Sequence, residues 1–184
     1  GLVQLPYLRN QNVRWGWVDL NDLKEMGFKG TELDRYRVEA GDLIVCEGGE
    51  PGRCAVLRGV TEGLMYQKAL HRVRLYGGLV SADFVQHCMK HYADSGTVVP
   101  RASETTIKHL PLEKMLELPL PVPPLPEQHR LVTKLEELLT QLEAGVEALK
   151  TVRGQLKRYR QSVLKHAFEG KLTEDWRKEQ LRDP

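Results

Sequence analysis

The sequence predicts an α+β protein, a β-rich N-terminal domain followed by one long α-helix suited to coiled-coil pairing. Three observations carry this. Apolar residues recur in sevens at Leu135, Leu142, Leu149, Leu156 and Val163, with Leu131, Leu138, Val152 and Tyr159 at the intervening d positions beside Gly145 and His166. A 3.5-residue repeat held over five heptads asks for a helix wound around it. Upstream, Asp42–Glu47 and Arg53–Arg58 flank Gly48-Gly49-Glu50-Pro51-Gly52 as the arms of a hairpin would. Between the two regions lies the proline-rich stretch Pro119–Pro126, whose rings keep the chain extended.

In chain order, Val13, Trp15 and Trp17 alternate with Arg14, Gly16 and Val18, the period of a strand. The hairpin follows. Ala69–Tyr76 alternates again, with Ala69, His71, Val73 and Leu75 on one face and Leu70, Arg72, Arg74 and Tyr76 on the other. Ser81 is placed to cap a helix running to about Ala93, with Phe84, Val85, Cys88, Met89 and Tyr92 as its apolar face. Leu116, Leu118 and Leu120 point to a last strand, confined to an edge by Pro119 and Pro121. The long helix is expected from Pro126, which suits a first helical position, to about Phe168; it would be roughly 60 Å long at ~1.5 Å per residue. Gly170 is a natural left-handed stop. The division expected is a domain over 1–125, a pairing helix over 126–170 and a charged tail over 171–184 that frays.

Charge along the helix is polarised. Glu127–Glu147 carries five acids against two bases, and Lys150–Lys171 seven bases against one acid. Two such helices laid antiparallel set each acidic half against a basic half.

The chain has 184 residues, 41% hydrophobic and 28% charged, which is ordinary for a globular protein. It has no run of 18 apolar residues, so no membrane span is expected. Gly1-Leu2-Val3 shows neither an initiator Met nor a signal-peptide pattern, so a piece of a longer chain is expected. Cys46, Cys54 and Cys88 are odd in number and form no C-x-x-C pair, which fits a reducing, cytoplasmic setting. Net charge is only +2, and residues 1–100 hold twelve bases and twelve acids. A nucleic-acid role must therefore rest on local placement.

Catalytic signatures are missing. Gly48–Gly52 runs into Arg53 and not Gly-Lys-Ser/Thr, and no G-x-G-x-x-G, His-Glu-x-x-His or G-x-S-x-G occurs. His87 and His91, at i and i+4 around Cys88, lack a third ligand and read as ordinary histidines. Cys46 and Cys54 read as small core hydrophobes. No catalytic residue, metal or cofactor is expected.

Binding residues are easier to find. Arg9, Asn10, Gln11, Asn12 and Arg14 set two arginines and three amides in a row, the groups that pair with guanine and adenine edges. The competing reading is a polar loop with capping amides. Arg72 and Arg74 on one strand face could meet phosphates, as could Arg53, Lys68, Thr105 and Lys108.

Pro121-Val122-Pro123-Pro124-Leu125-Pro126-Glu127-Gln128-His129-Arg130-Leu131-Val132 resembles the P-x-P-P-x-x-E-Q-x-x-I/V signature of the specificity subunits of type I restriction–modification enzymes. Lys157–Leu172 is similar to the end of that family's conserved-region helix. Tyr7–Val13, Ala40–Ile44 and Gly48–Arg53 more loosely resemble its target recognition domain. The resemblance implies a non-catalytic reader of double-stranded DNA that holds methyltransferase subunits and, in restriction, the translocase–endonuclease subunits. Members of the family carry two recognition domains joined by two antiparallel helices, each domain reading half of a split site. This chain has one of each. It is then an N-terminal half, a C-terminal half, or a half-subunit completed by a second copy. A coiled-coil adaptor without DNA readout is the alternative, and the arginine–amide run favours the reader.

Overall fold

A computed structural model describes residues 1–59, 62–98 and 109–180. They form β1 (Leu2–Leu8), β2 (Val13–Arg14), β3 (Trp17–Val18), β4 (Lys24–Lys29), α1 (Leu33–Tyr36), β5 (Leu43–Cys46), β6 (Cys54–Val56), β7 (Met65–Tyr66), β8 (Leu70–Val73), α2 (Ala82–Asp94), α3 (Leu112–Leu116), α4 (Leu125–Phe168) and α5 (Glu174–Gln180). The chain divides into two compact units, Gly1–Thr133 and Lys134–Pro184. The class is α+β with one long helix. No helix among the described residues is long and apolar enough to cross a membrane.

The first unit is organised around β5. The Leu43-Ile44-Val45-Cys46 run is wholly buried, and period-2 alternation divides it between two cores. Ile44 and Cys46 join Leu8, Val13, Ala55, Leu57 and Leu70 on one side. Leu43 and Val45 face Cys54, Val56, Val85, Met89 and Leu110 on the other. The expected hairpin is present, with Leu43 opposite Val56 and Val45 opposite Cys54, and β8 pairs antiparallel with the other edge of β5. Cys46 and Cys54 are buried, one in each core.

The helix after Ser81 is also as expected. The Ser81 hydroxyl accepts from the Phe84 amide at 3.5 Å, and Phe84, Val85 and Met89 are buried.

Three expectations are corrected. The alternation at Val13–Trp17 is not one strand but a hairpin, with Val13 opposite Val18 and Arg14 opposite Trp17. Gly16, at φ +81°, takes the left-handed conformation that its two-residue turn requires. Leu116 ends α3, and no strand forms at Leu118 or Leu120. Pro111 precedes the helix where its missing donor is harmless, whereas Pro119 and Pro121 cannot supply ladder amides. The tail does not simply fray, since α5 forms after Gly170, at φ +70°, ends α4.

Strands β1, β4 and β7 were not foreseen. They make a second sheet in the order β4-β1-β7. Pro6 sits in β1 opposite Glu25 of β4, while β7 reaches only Tyr7 and Leu8, so the proline meets no ladder on that side.

The first turns of α4 are fastened within the first unit by Gln128, which is fully buried. Its side chain accepts from the Ser81 amide (2.8 Å) and donates to the carbonyls of Leu79 (2.9 Å) and Pro123 (2.7 Å). Every polar position of the amide has a partner except one acceptor lone pair.

In the second unit the heptad stripe lies open. Leu142 is 63%, Leu149 71%, Leu156 61% and Tyr159 69% exposed. Leu135, Leu138 and Val152 are exposed too, and Val163 is half-buried.

Candidate nucleic-acid interface

Three separate segments meet at the end of β5 that carries the glycine-rich loop. The Asn10 side chain donates to the Gly48 carbonyl (3.2 Å), and the Asn10 carbonyl accepts from the Arg53 guanidinium (2.9 Å). Gly48 bridges to His109, and the Leu110 amide donates to the Glu47 carbonyl (2.7 Å). The Gln67–Ala69 turn closes the same rim, as the Gln67 amide reaches the Leu8 carbonyl (3.2 Å) and the Glu47 amide the Ala69 carbonyl (3.1 Å). Arg9–Arg14, the Gly48–Arg53 loop and Lys68 thus lie side by side. Thr105 and Lys108 fall outside the described residues, though the chain rejoins the rim at His109.

Within the rim many polar groups are already committed. Asn12 is buried; its Oδ1 accepts from the Arg9 amide (3.0 Å) and Arg9 Nε (3.3 Å), and its Nδ2 donates to the carbonyls of Asp19 (3.2 Å) and Asp22 (2.9 Å). The Arg9 guanidinium also binds the Asp22 carboxylate at 2.9 Å. These donors and acceptors staple Arg9 to Asp22, as capping amides do, and are spent within the fold. Arg53 is likewise tied down, pairing with Glu50 at 3.0 Å. The residues of the run that face solvent are Gln11, whose Nε2 touches Asp22 Oδ2 at 3.1 Å and whose carbonyl oxygen has no described partner, and Arg14.

Arg72 and Arg74 do not share a free face either. Arg74 binds Asp42, itself 2% exposed, through two charge-assisted bonds of 2.7 and 2.6 Å, and Glu39 at 3.0 Å. Those bonds to Asp42 push the guanidinium's pKa further up. A buried carboxylate left without a cation is strongly destabilising, so Arg74 is held to the fold. It also stands at the opposite end of β5 from Gly48, since its partner Asp42 lies about 20 Å from that glycine at ~3.3 Å per residue. Arg72 donates to the Arg37 and Asp34 carbonyls at the end of α1 and lies over the Tyr66 ring at 5.8 Å. Lys68 is exposed.

Two buried polar atoms of the rim, Asn10 Oδ1 and Arg53 Nε, have no hydrogen-bond partner among the described residues. Sequence reasoning missed His109 and Gln128. The first carried no signal, while the second was visible as the glutamine of the Pro126-Glu127-Gln128 motif.

No protein-family model matches the chain. Curated proteins do. The chain is 24% identical over 182 residues to the specificity subunit of the type I restriction enzyme EcoKI of Escherichia coli K12, covering 95% of this chain and 39% of that protein. It is 28% identical over 148 residues to the EcoBI specificity subunit of Escherichia coli, covering 80% of this chain and 30% of that one. Against the EcoDI subunit it is 33% identical over 87 residues, covering 47% and 18%. It therefore spans about two fifths or less of the curated relatives it matches. Among solved structures, one of a type I restriction–modification system superposes with a TM-score of 0.61 at 19% identity, over 89% of this chain and 38% of that one. The HsdS subunit of Thermoanaerobacter tengcongensis superposes with a TM-score of 0.57 at 18% identity, over 77% and 37%. These structures share the fold. The chain resembles type I specificity subunits along nearly its whole length.

Proposed function

We propose that the chain is one half of a type I specificity subunit: a non-catalytic module that reads one half of a split site on double-stranded DNA and holds methyltransferase subunits, with restriction subunits joining for cleavage. The observation that carries this is the alignment to a specificity subunit over 182 residues, running through the β-rich head and the long helix alike. In this reading residues 1–125 form the recognition domain, 126–170 the pairing helix and 171–184 a charged tail, and the assembly works on cellular DNA in the cytoplasm.

Base readout falls to the rim. Gln11 and Arg14 are the exposed members of the Arg9–Arg14 run, and Asn10 and Arg53 tie that run to the glycine-rich loop. A glutamine and an arginine have the donor–acceptor forks that discriminate adenine and guanine, at about 1–3 kcal/mol per good bidentate contact. The open stripe through Leu131, Leu135, Leu138, Leu142, Leu149, Val152, Leu156, Tyr159 and Val163 is covered by a second such helix, antiparallel, from another copy or from the other half of the subunit.

The test is methylome sequencing of cells carrying the intact system, with and without this gene. Loss of one bipartite methylated motif on deletion is expected. An unchanged methylome refutes the proposal and favours the coiled-coil adaptor.

A further inference from the structure

In residues 1–100, six of the twelve basic side chains are paired with a carboxylate: Arg9, Arg37, Arg53, Arg58, Arg74 and Lys90. Among the described residues, no carboxylate lies within ion-pair distance of the other six. Three of those six converge. Arg35, Lys68 and Arg72 line one cavity of about 290 Å³, together with Tyr36, Tyr66 and His71. A domain whose charges cancel in bulk thus concentrates unneutralised positive charge in one hollow.

The hollow is also built to hold those cations still. Arg35 lies over the Tyr36 ring at 5.4 Å, Tyr36 meets Tyr66 edge-on at 5.4 Å, and Arg72 lies over Tyr66 at 5.8 Å. This ladder fixes two guanidinium groups against aromatic walls. Arg72 uses Nη1 on the α1 carbonyls, leaving Nη2 and Nε without described partners. Lys68 belongs to the Gln67–Ala69 turn, which also closes the rim proposed above to read bases, so hollow and rim adjoin.

We propose that this hollow is a clamp for DNA-backbone phosphates beside the reading rim, and that Arg35, a residue the sequence pattern did not single out, works in it with Lys68 and Arg72. The inference rests on the DNA-reading function proposed above. Phosphates carry no base identity, so the clamp adds affinity and register without choosing sequence. Guanidinium groups held in a plane match phosphate oxygens, and the tyrosine hydroxyls add neutral donors.

The experiment compares the full chain with an Arg35→Gln, Lys68→Gln variant in binding a mixed-sequence duplex over about 50 to 200 mM salt. Both residues are exposed and their side chains make no hydrogen bond among the described residues. Lys24→Gln with Lys29→Gln, equally exposed on β4 and equally unpaired, removes the same charge elsewhere. The clamp variant should bind at least tenfold more weakly at low salt, with the log–log salt slope shallower by about two, and the β4 variant should stay near the parent. Equal losses in both variants overturn the clamp, since bulk charge alone then explains them. So does a clamp variant that binds like the parent; the reading rim survives that result. If binding is intact but the variant fails to join methyltransferase subunits, the hollow takes an acidic protein surface and the clamp is refuted. If the unsubstituted chain binds no duplex even at low salt, clamp and DNA-reading function fall together.

Discussion

Replacing Gln128 with leucine should loosen the first unit by about 3 kcal/mol. The glutamine is fully buried and makes three hydrogen bonds, to the Ser81 amide and to the carbonyls of Leu79 and Pro123. Leucine is similar in volume, so little of the loss comes from a cavity. It comes from one amide and two carbonyls that lose their partner, each worth about 1–3 kcal/mol when left unmade, with part recovered by water because Leu79 is exposed and Ser81 and Pro123 are half-buried. Glutamate should do no better, because an ionised carboxylate accepts from Ser81 but cannot donate to either carbonyl, and it buries a charge. The assay is urea unfolding of the full chain followed by tryptophan fluorescence in a Trp176→Phe background, so that Trp15 and Trp17 report the head. His129→Ala, exposed on the same turn, is the control. A Gln128→Leu chain within about 1 kcal/mol of its parent refutes the reasoning, and the glutamine is then decoration on a helix start held by Val132.

Leu142→Asp combined with Leu149→Asp should abolish self-association, because each buried leucine contributes about 1.5–3 kcal/mol and both are now exposed; a monomeric unsubstituted chain in sedimentation at micromolar concentration counts against pairing of the isolated chain. Asn12→Ala should weaken folding, since four hydrogen bonds converge on that amide, whereas Gln11→Ala and Arg14→Ala should leave stability alone and alter the methylated motif; a motif untouched by both exposed changes moves readout to another part of the rim. Burial pushes the thiols of Cys46 and Cys54 up from their ordinary value of 9.0. The unfolded thiols then ionise first, so this part of the stability is whole below pH 9 and is lost as pH rises above it. Denaturant midpoints that do not fall between about pH 8 and 10.5, or that fall equally in a Cys46→Ala, Cys54→Ala chain, dismiss that contribution.

How much could be read from the chain depended on whether a residue's role is set by near or distant neighbours. The hairpin of β5 and β6, the Ser81-capped α2 and the heptad stripe were legible because each is written as a local period with local punctuation. β4, spelled Lys24-Glu25-Met26-Gly27-Phe28-Lys29, buries only Phe28 and shows no clean alternation, and β1 holds a proline. The candidate site was half legible for the same reason. Arginines and amides are visible as donors in any sequence, but what they are spent on is not. Arg74 meets Asp42 across two strands, and Asn12 closes on Asp19 and Asp22 only once a hairpin has turned between them.

The long helix poses the converse problem, because its charges are spent locally and its polarity has to survive that. Glu127 pairs with Arg130, Glu137 with Lys134 and Glu147 with Lys150, while Lys165 and Lys171 share Glu169. Removing these pairs leaves Glu136 and Glu143 in the acidic half and Arg153, Lys157, Arg158 and Arg160 in the basic half, none with a carboxylate or amine partner among the described residues. Local pairing therefore leaves the polarity standing. Exposed i,i+3 pairs contribute only a few tenths of a kcal/mol each, too little to fix an assembly. The apolar stripe supplies the drive to associate but is nearly blind to direction. Direction falls to the residual charges, which oppose a parallel pair and favour the proposed antiparallel one, chiefly by penalising the wrong partner. Stripe and charge thus answer different questions, how strongly the helix pairs and which way its partner runs.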